Sequence, residues 1–281
     1  MGEQIEPANR PTVEALEETA RRLRAHVVRM VGRLGIGYLQ QGVGAAELFA
    51  VMYGSELRLD RDDPDWRDRD RFLLSTAHNT AIFYAAMAER GLITESELEN
   101  YTRDGSSFEV NASERVGTLV EATCGSLGQG LSVAVGMALS LRRRNSPARV
   151  YVVLGDGELQ EGQVWEAAMS AAGFGLGNLC LIIDRNFLQV EGHTDEVMPM
   201  EPVADKWSAF GWHTTTIDGH SIPAIREALD SARNNTGTPS CIIANTVPGK
   251  GLPDFEGRMS HMTAISPDQM QSALSVLGET A

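Results

Sequence analysis

Two short apolar runs, each closed by a polar tip, constrain the fold of this chain more than any other feature. The runs are Val150–Leu154, closed by GDG, and Leu179–Ile183, closed by DRN. The alanine-rich stretch between them repeats its apolar residues at helical spacing, at Trp165, Ala168, Met169 and Ala172. Two runs of this length on either side of a helical repeat predict a strand–helix–strand unit of a parallel sheet.

The polar tips place a carboxylate, Asp156, and an amide oxygen, Asn186, at the carboxyl ends of neighbouring strands. Open α/β sheets bind ligands at that edge. A hard divalent cation prefers such oxygens, and magnesium usually keeps part of its shell for phosphate oxygens. Gly155 and Gly157 allow the backbone to approach a diphosphate closely. GDG by itself would favour the simpler alternative, in which the two side chains only cap turns. The spacing, the EG-x-x-WEA helix and the Asp-x-Asn tip together favour a metal–diphosphate site.

Alternating strand and helix patterns along the rest of the chain predict an α/β fold, with a mostly parallel sheet and helices on both faces. An amphipathic helix is predicted from Thr12 to Leu34 and a second one from Ala45 to Tyr53, which together make a helical N-terminal segment over residues 12–55. Further strands are expected at 72–74, 214–217 and 241–244, with helices between them. No internal repeat or linker is evident, so we expect residues 1–281 to form one domain.

Charge and composition exclude several classes of function. The chain has 38 acidic and 24 basic residues, a net charge of −14, which argues against nucleic acid or an anionic membrane as a partner. No apolar run is long enough to span a membrane, and the polar start MGEQIEPANRP does not resemble a signal peptide. Cys180 and Cys241 lie in apolar runs, and together with Cys124 they lack metal-ligand spacing. Buried thiols in a cytoplasmic protein are therefore expected.

Two charged segments have structural explanations. Residues 60–71, DRDDPDWRDRDR, contain Pro64 and are interpreted as a solvated surface loop. The basic cluster Arg142–Arg144 follows an apolar helix, and we interpret it as cations at the carboxyl end of that helix rather than as a phosphate site.

Longer motifs surround the polar tips, and in order along the chain they resemble the amino-terminal half of transketolase over residues 15–265. The motifs are RDRFLLSTAHNTAIFYAAMAERG, CGSLGQGLSVAVGMAL, GDGELQEGQVWEAAMSAA, LGNLCLIIDRNFLQVEG and FGWHTTTIDGH. The resemblance implies the thiamine diphosphate-binding fold, specifically its diphosphate-binding domain. It also implies thiamine diphosphate as cofactor, Mg²⁺ with Ca²⁺ as a substitute, and transfer of a two-carbon ketol unit from a ketose or its phosphate to an aldose or its phosphate.

The resemblance also implies roles for individual residues. The expected metal ligands are Asp156 and Asn186 through their side chains and Leu188 through its carbonyl. The expected coenzyme contacts are those three residues with Gly125, Leu127, Gly155, Gly157, Glu161, His78 and His261. His78 and His261 are the expected catalytic residues. Glu161 matches an acidic residue at the subunit interface, although a first-turn helix glutamate is nearly as good an explanation. For His261 the alternative is a surface histidine of the tail region.

Four further histidines have weaker assignments. His193 follows the metal loop and is a candidate to line the pocket, whereas His220 is expected to be a turn residue. His26 and His213 fall on structural elements.

Several positions depart from the family pattern. Tyr38 stands where a histidine is expected, and Asn111-Ala112-Ser113 replaces a glycine-histidine-proline turn. Ala77, Ser126 and Met262 are smaller departures, from glycine, proline and glycine respectively. A tyrosine can donate a hydrogen bond but cannot carry a proton near neutral pH, so the substrates are expected to differ from the usual pentose phosphates.

A complete transketolase continues with a pyrimidine domain, which supplies the glutamate that activates the coenzyme. This chain ends at Ala281, so we expect a separate chain carrying the pyrimidine and C-terminal domains, an α2β2 assembly, and no activity of the isolated chain. Two other functions stay open at this point. One is a 2-oxoacid decarboxylating or dehydrogenase component, and the other is a non-catalytic regulatory subunit.

Overall fold

A five-stranded parallel sheet forms the centre of the protein in the computed structural model, which describes residues 10–258 and 260–280. The strands are β1 (Ile36–Gly37), β2 (Arg71–Leu74), β3 (Val150–Gly155), β4 (Leu179–Arg185), β5 (Leu188–Gln189), β6 (Gly192–His193), β7 (His213–Asp218), β8 (Ser240–Asn245) and β9 (Thr263–Ala264). The sheet has the order β2-β3-β4-β8-β7. Two small antiparallel pairs, β1 with β9 and β5 with β6, flank it. The predicted α/β class is confirmed.

Helices cover both faces of the sheet. They are α1 (Val13–Leu34), α2 (Leu39–Gly44), α3 (Ala46–Val51), α4 (Thr80–Glu89), α5 (Gly130–Arg143), α6 (Gly162–Gly173), α7 (Thr194–Val197), α8 (Val203–Ala209), α9 (Ile222–Asn234) and α10 (Pro267–Val276). Helix α1 begins where predicted, because the Thr12 hydroxyl accepts a hydrogen bond from the Ala15 N–H at 3.2 Å. It ends at Gly35, whose φ of 75° is the left-handed cap that glycine favours. The predicted second helix is present as α3, and a wider π-helical turn, Met52–Glu56, extends it.

Alternation along the strands divides the core into two clusters. Tyr151, Val153 and Cys180 face the cluster built mainly on α1, α3, α4 and α9. Val152 and Cys241 face the second cluster, which contains α5, α6 and α8. Successive side chains of a strand point to opposite faces, so the central strands β3 and β4, covered on both sides, are apolar along most of their length, whereas the edge strand β7 carries three threonines. All three cysteines are buried and free, as expected.

The interpretation of residues 60–71 as a solvated loop is wrong at its carboxyl end. Arg69 and Asp70 are 6% and 1% exposed, because β2 begins at Arg71 and the chain must enter the sheet there. Asp70 accepts hydrogen bonds from the Arg149 N–H at 2.8 Å and from Arg58 Nη2 at 3.1 Å. Residues 61–63 are exposed, so the interpretation holds for the middle of the loop.

The basic cluster after α5 has the structural role predicted for it. Arg142 and Arg143 lie in the last turn of α5, where a cation interacts favourably with the helix dipole. Arg142 also donates to the carbonyl of Gly175 at 3.2 Å and to the carbonyl of Phe174, both just beyond α6.

Residues 102–120 are irregular apart from one short turn of 3₁₀ helix at Glu114–Val116. The segment bonds extensively to itself, with Glu109 accepting from both Ser113 and Arg115. No helix within residues 10–258 and 260–280 combines the length and the apolarity that a membrane crossing requires.

Candidate active site

The residues assigned to the site converge on one cleft at the carboxyl edge of the sheet. Because β3 and β4 are parallel, with Gly155 opposite Asp184, their polar tips end at the same edge. The cleft has a volume of about 250 Å³. Nine of the predicted site residues line it: His78, Leu127, Gly155, Asp156, Gly157, Glu161, Asn186, Leu188 and His261. Residues from distant parts of the sequence therefore share one surface.

Asp156 is a buried carboxylate held by neutral donors. Its Oδ1 accepts from the Gly157 N–H at 3.0 Å, and its Oδ2 accepts from the Phe187 N–H at 2.7 Å and the Thr194 hydroxyl at 3.3 Å. Burial, and next the nearby charge of Asp184, raise the pKa of Asp156 to about 7. The carboxylate thus lacks a counterion in a place where a negative charge is costly.

Asn186 lies in a strained turn between β4 and β5. Phe187 has a φ of 62°, a left-handed conformation that costs a non-glycine residue on the order of 1–2 kcal/mol. Contacts on both sides hold it there: the Arg185 guanidinium lies 4.2 Å from its ring centroid, and the His193 ring centroid lies 5.5 Å away. Asn186 Oδ1 accepts from the Leu188 N–H at 2.9 Å. The strained turn, held by these contacts, places Asn186 and Leu188 beside Asp156.

The donor set at this turn suits a hard divalent cation. A carboxylate offers about four acceptor positions, and three are used in Asp156. The Asn186 amide oxygen has one further lone pair, since Leu188 uses one. Among the described residues no three His, Cys, Asp or Glu side chains form a metal cluster. A cation here would therefore use a mixed carboxylate, amide and carbonyl set, which is typical of magnesium and calcium.

The glycine at position 157 is required by a close approach. A Cβ atom there would lie 3.2 Å from the Cβ of Gln189, so any side chain would push into the neighbouring hairpin. The absence of a side chain at Gly157 leaves room for a phosphate oxygen beside Asp156.

Glu158 belongs to the site, and sequence reasoning missed it. Its carboxylate, only 3% exposed, accepts from the Ser75 hydroxyl, from the Gly128 N–H at 2.8 Å and from the Gly155 N–H at 3.2 Å. These bonds tie together the ends of β2 and β3 and the GSLGQG turn. Burial raises the pKa of Glu158, although these hydrogen bonds lower it. The only signal in the sequence was the acid directly after GDG.

Three aromatic rings meet at the other end of the cleft. The ring centroids of His78 and His261 lie 4.4 Å apart, and those of Tyr38 lie 4.7 Å from His78 and 5.4 Å from His261, all edge to face. Burial, and next the proximity of His261, lower the pKa of His78 to about 4. Burial also lowers the pKa of His261, which Glu191 partly opposes. Near neutral pH both imidazoles are therefore neutral.

Some assigned residues lie elsewhere. Gly125 does not line the cleft, and its Cβ position lies 3.5 Å from Asn111 Nδ2, so it contacts the segment that departs from the family pattern. Glu161 lines the cleft and also occupies the N-cap position of α6, so both explanations for it stand. His193 does not line the cleft; its Nδ1 accepts from the Asp195 N–H at 3.3 Å and caps α7.

The remaining histidines have structural contacts. His220 lies in the turn after β7, as predicted, and bonds to Glu47 and Val247. His26 is buried on α1 beside Glu89 and Glu95, and His213 bonds to Ser231.

Three glutamines complete the lining, and nothing in the sequence pattern marked them. Gln160 Nε2 donates to Gln189 Oε1 at 2.6 Å, and Gln189 Nε2 donates to Glu191 at 2.9 Å. Gln41 Nε2 donates to the His261 carbonyl at 3.0 Å, which leaves its Oε1 buried without a partner. These glutamines give the cleft side chains that both donate and accept hydrogen bonds.

Comparison with known proteins gives one consistent result. The family model for the thiamine diphosphate-binding domain of transketolase matches residues 16–280. The 6-deoxy-6-sulfo-D-fructose transketolase subunit SqwG of Clostridium sp. (strain MSTE9) is 38% identical over 263 residues, which is 93% of this chain and 96% of the relative. An apulose-4-phosphate transketolase subunit of Actinobacillus succinogenes is 34% identical, over 94% of this chain and 96% of its own length.

The solved transketolase of Campylobacter jejuni superposes with a TM-score of 0.89 at 28% identity. The alignment covers 96% of this chain but 44% of that one. The chain thus spans less than half the length of the solved protein that it matches.

Proposed function

This chain belongs to the transketolase family, and on that premise we propose that it is the diphosphate-binding subunit of a two-chain transketolase. The proposed reaction moves a two-carbon ketol unit from a ketose, or its phosphate, to an aldose or its phosphate. The observation that carries the proposal is the placement of Asp156 and Asn186 at the ends of adjoining parallel strands in one cleft. When bound, thiamine diphosphate would supply the electron sink that ketol transfer requires.

The turn at the metal–diphosphate end has the residues to hold that coenzyme. Asp156 and Asn186, with the carbonyl of Leu188, would hold Mg²⁺, or Ca²⁺ in its place. The backbone at Gly155 and Gly157 would face the diphosphate. The free acceptor position on Asp156 and its raised pKa support this assignment, because a cation would relieve an uncompensated buried charge.

His78 and His261 are assigned to the substrate. A neutral imidazole has one N–H donor and one acceptor nitrogen, so each ring can orient a hydroxyl or carbonyl oxygen and move a proton at a ring nitrogen. His261 Nδ1 has no hydrogen-bond partner among the described residues, so the bonding capacity of this nitrogen is unused. Leu127, Glu161 and Gly125 are assigned to the edge of the coenzyme site.

The partner is proposed to be a second polypeptide. The two relatives named above have nearly the length of this chain and are named as subunits. We therefore assign residues 1–281 to one diphosphate-binding domain with its helical segment 12–55, and the pyrimidine and C-terminal domains to a separate chain in an α2β2 complex. A cytoplasmic location fits the three buried, free cysteines.

The substrates are proposed to differ from the usual pentose phosphates. Tyr38 replaces a histidine in the ring cluster, and Asn111-Ala112-Ser113 stands where a second glycine-histidine-proline turn is expected. By their names the two relatives act on a sulfonated fructose and on apulose 4-phosphate. Both ketoses are therefore the first donors to test, beside xylulose 5-phosphate. Transketolase names among relatives that align over most of the chain favour this reaction over 2-oxoacid decarboxylation or a purely regulatory role.

Calorimetric titration tests the proposal. The chain would be assembled with its partner and titrated with thiamine diphosphate in the presence of Mg²⁺. A second titration would follow EDTA treatment, without added Mg²⁺. We expect saturable binding that requires the metal, and ketol transfer by the complex but not by the isolated chain. Absence of coenzyme binding would refute the proposed function, and robust transfer by the pure chain would refute the two-chain arrangement.

A further inference from the structure

A buried charged cluster lies beside the cleft and outside its lining. It consists of Arg24 on α1, Glu47 on α3 and His220 in the turn after β7, whose side chains are 8%, 13% and 13% exposed. Arg24 Nη2 donates to both carboxylate oxygens of Glu47 at 2.7 and 2.8 Å, and His220 Nδ1 lies 3.1 Å from Glu47 Oε2. We call these three side chains the anchor cluster.

The anchor cluster bonds directly to the backbone of two loops. Arg24 Nε donates to the carbonyls of Val43 at 3.1 Å and Lys250 at 2.9 Å. The Val247 N–H donates to His220 Nε2 at 2.8 Å. Since Nε2 accepts that bond, its proton must be on Nδ1, which donates to Glu47. His220 therefore has a single tautomer that joins Glu47 to Val247.

Glycines allow these loops to pack directly on the cluster. A Cβ at Gly44 would lie 2.9 Å from the Val247 carbonyl oxygen, and one at Gly219 would lie 2.6 Å from Thr246 Cγ2. Gly251 has a φ of 85°, and its Cβ would lie 3.2 Å from Arg24 Nε. Contacts this close leave little freedom for the loops to shift relative to one another.

The same loops carry residues of the candidate site. We define the Tyr38 loop as residues 38–44, that is, Tyr38 with the short helix α2 that follows it, and the strap as residues 246–257. In the strap, the Thr246 hydroxyl donates to Asp184 Oδ1 at 2.5 Å, and the Gly249 N–H donates to the Gln40 carbonyl at 2.8 Å. In the Tyr38 loop, Gln41 holds the carbonyl of His261. The two loops thus determine where Tyr38 and His261 lie relative to His78.

We propose that the anchor cluster positions the active site: His220, oriented by Glu47, fixes the strap against the Tyr38 loop and thereby sets the placement of the Tyr38, His78 and His261 rings. Its catalytic consequence rests on the proposed function. His220 acts through the strap and does not line the cleft, so it is a positioning residue. Burial opposes ionisation of Glu47, but the hydrogen bond from His220 and the charge of Arg24 outweigh it and hold the pKa of Glu47 below its usual value.

Two substitutions of His220 separate its two bonds. In His220→Gln the amide can reach the position of Nε2 and accept from Val247, whereas in His220→Asn it can reach the position of Nδ1 and donate to Glu47. Both leave Arg24 and Glu47 paired, so neither strands a buried charge. His213 begins β7, the strand that precedes the turn with His220, and it bonds to Ser231. His213→Gln and His213→Asn supply the matched controls.

Hydrogen exchange of the full chain gives the first test, and it requires no coenzyme. We expect the Val247 amide to exchange at least about tenfold faster in His220→Asn than in the wild type, with faster exchange also in the Tyr38 loop. His220→Gln should retain most of the protection, and the His213 variants should leave both loops unchanged. In ¹⁵N spectra of the wild type, the His220 ring should show the Nδ1–H tautomer.

Kinetics of the assembled complex give the second test. At saturating thiamine diphosphate, Mg²⁺ and sugar, we expect turnover to fall roughly tenfold to a hundredfold in His220→Asn and to stay within about twofold in His220→Gln, because small displacements of reacting groups are costly. Equal exchange in both variants, a uniform rise over the whole chain, or unchanged turnover in His220→Asn would overturn the proposal. A wild-type complex without ketol transfer would instead refute the proposed function, and the exchange pattern would still decide whether the cluster fixes the strap.

Discussion

Buried acids near the two ends of the parallel sheet have different hydrogen-bond partners. At the amino end, Asp70 faces the Arg58 guanidinium at 3.1 Å and Glu121 pairs with Arg69. At the carboxyl end, Asp156 and Glu158 are as deeply buried but accept from N–H and hydroxyl groups and have no arginine or lysine partner among the interactions of the described residues.

This difference separates a structural use of charge from a binding use. A buried carboxylate paired with an arginine has its charge neutralised within the protein, so removing it strands the partner. A buried carboxylate held by neutral donors keeps an uncompensated charge that an added cation can neutralise. Asp70 and Glu121 should therefore matter for stability, and Asp156 for ligand binding.

The largest effect is expected at Asp156. Asp156→Asn keeps the size of the side chain but removes the charge, so we expect ketol transfer by the complex to fall at least about a thousandfold, since an anchor of the cofactor is lost. Stability should be unchanged or higher, because an uncompensated buried charge disappears. Activity assays and urea unfolding of the same preparation check both parts. A variant that retains activity would show that the charge of Asp156 is not needed for cofactor binding.

Asp70→Asn should show the reverse pattern. We expect a loss of about 3 kcal/mol in the free energy of unfolding, because Arg58 would lose its buried partner. Coenzyme affinity of the folded protein should not change. Asp62→Asn is the matched control, since Asp62 is 86% exposed and its replacement should cost less than about 0.5 kcal/mol. If Asp70→Asn and Asp62→Asn have the same free energy of unfolding, the pairing of Asp70 with Arg58 does not stabilise the fold.

Metal and coenzyme should stabilise the wild-type complex and not the Asp156→Asn complex. At about a hundredfold excess over the dissociation constant, thiamine diphosphate with Mg²⁺ should add about 2.7 kcal/mol, and EDTA should abolish the gain. Thermal unfolding with and without ligand provides the measurement. Equal stabilisation of both complexes would place the metal away from Asp156.

Gly157→Ala should have a smaller effect. The new methyl group would meet Gln189 at 3.2 Å and crowd the backbone N–H that is assigned to the diphosphate. We expect coenzyme affinity to fall about tenfold, or about 1.4 kcal/mol, by calorimetric titration. Gly162→Ala, at a glycine with open space around it, is the control and should bind normally.

The smallest effect concerns the pH dependence of stability. The pKa of His78 lies near 4 in the folded protein and near 6.5 when unfolded, so between these values only the unfolded state takes up a proton. Its contribution to stability is therefore complete above pH 6.5 and is lost as the pH falls toward 4. Urea unfolding at pH 7.5 and 5 should show a wild-type loss that exceeds that of His78→Gln by on the order of 1 kcal/mol. Parallel losses would show that His78 is not held neutral.

The sheet and the placement of Asp156 and Asn186 at one edge of it were predictable because their signals are local. Apolar runs closed by GDG and DRN specify both strands and their shared edge, and the Thr12 cap specifies the start of α1. The apolar runs also predicted that Cys180 and Cys241 are buried. These features depend on neighbours within a few residues or on the repeat of one element.

The ring cluster and the bonds around Glu158 could not be predicted from local patterns. Tyr38, His78 and His261 are far apart in sequence, and long-range contacts such as the bond from Gln41 to the His261 carbonyl accompany their meeting. No local pattern marked Glu158, because its partners come from the end of β2 and from the GSLGQG turn, which are distant in sequence. Burial of Arg69 and Asp70 was missed for a similar reason, because a run of charges has no amphipathic period that marks where β2 enters the sheet.

The irregular stretch at 102–120 has a consequence for how such a protein could change its substrate. Glu109 binds Ser113 and Arg115 within the stretch, and Asn111 contacts Gly125 of the GSLGQG turn beside the cleft. A segment that carries its own bonds can gain or lose residues without shifting the register of β2 to β3. Under the proposed function, natural variants and directed evolution should therefore find new sugar preferences in residues 102–120 more readily than at the strand ends. An insertion at a strand end would shift the register of the sheet.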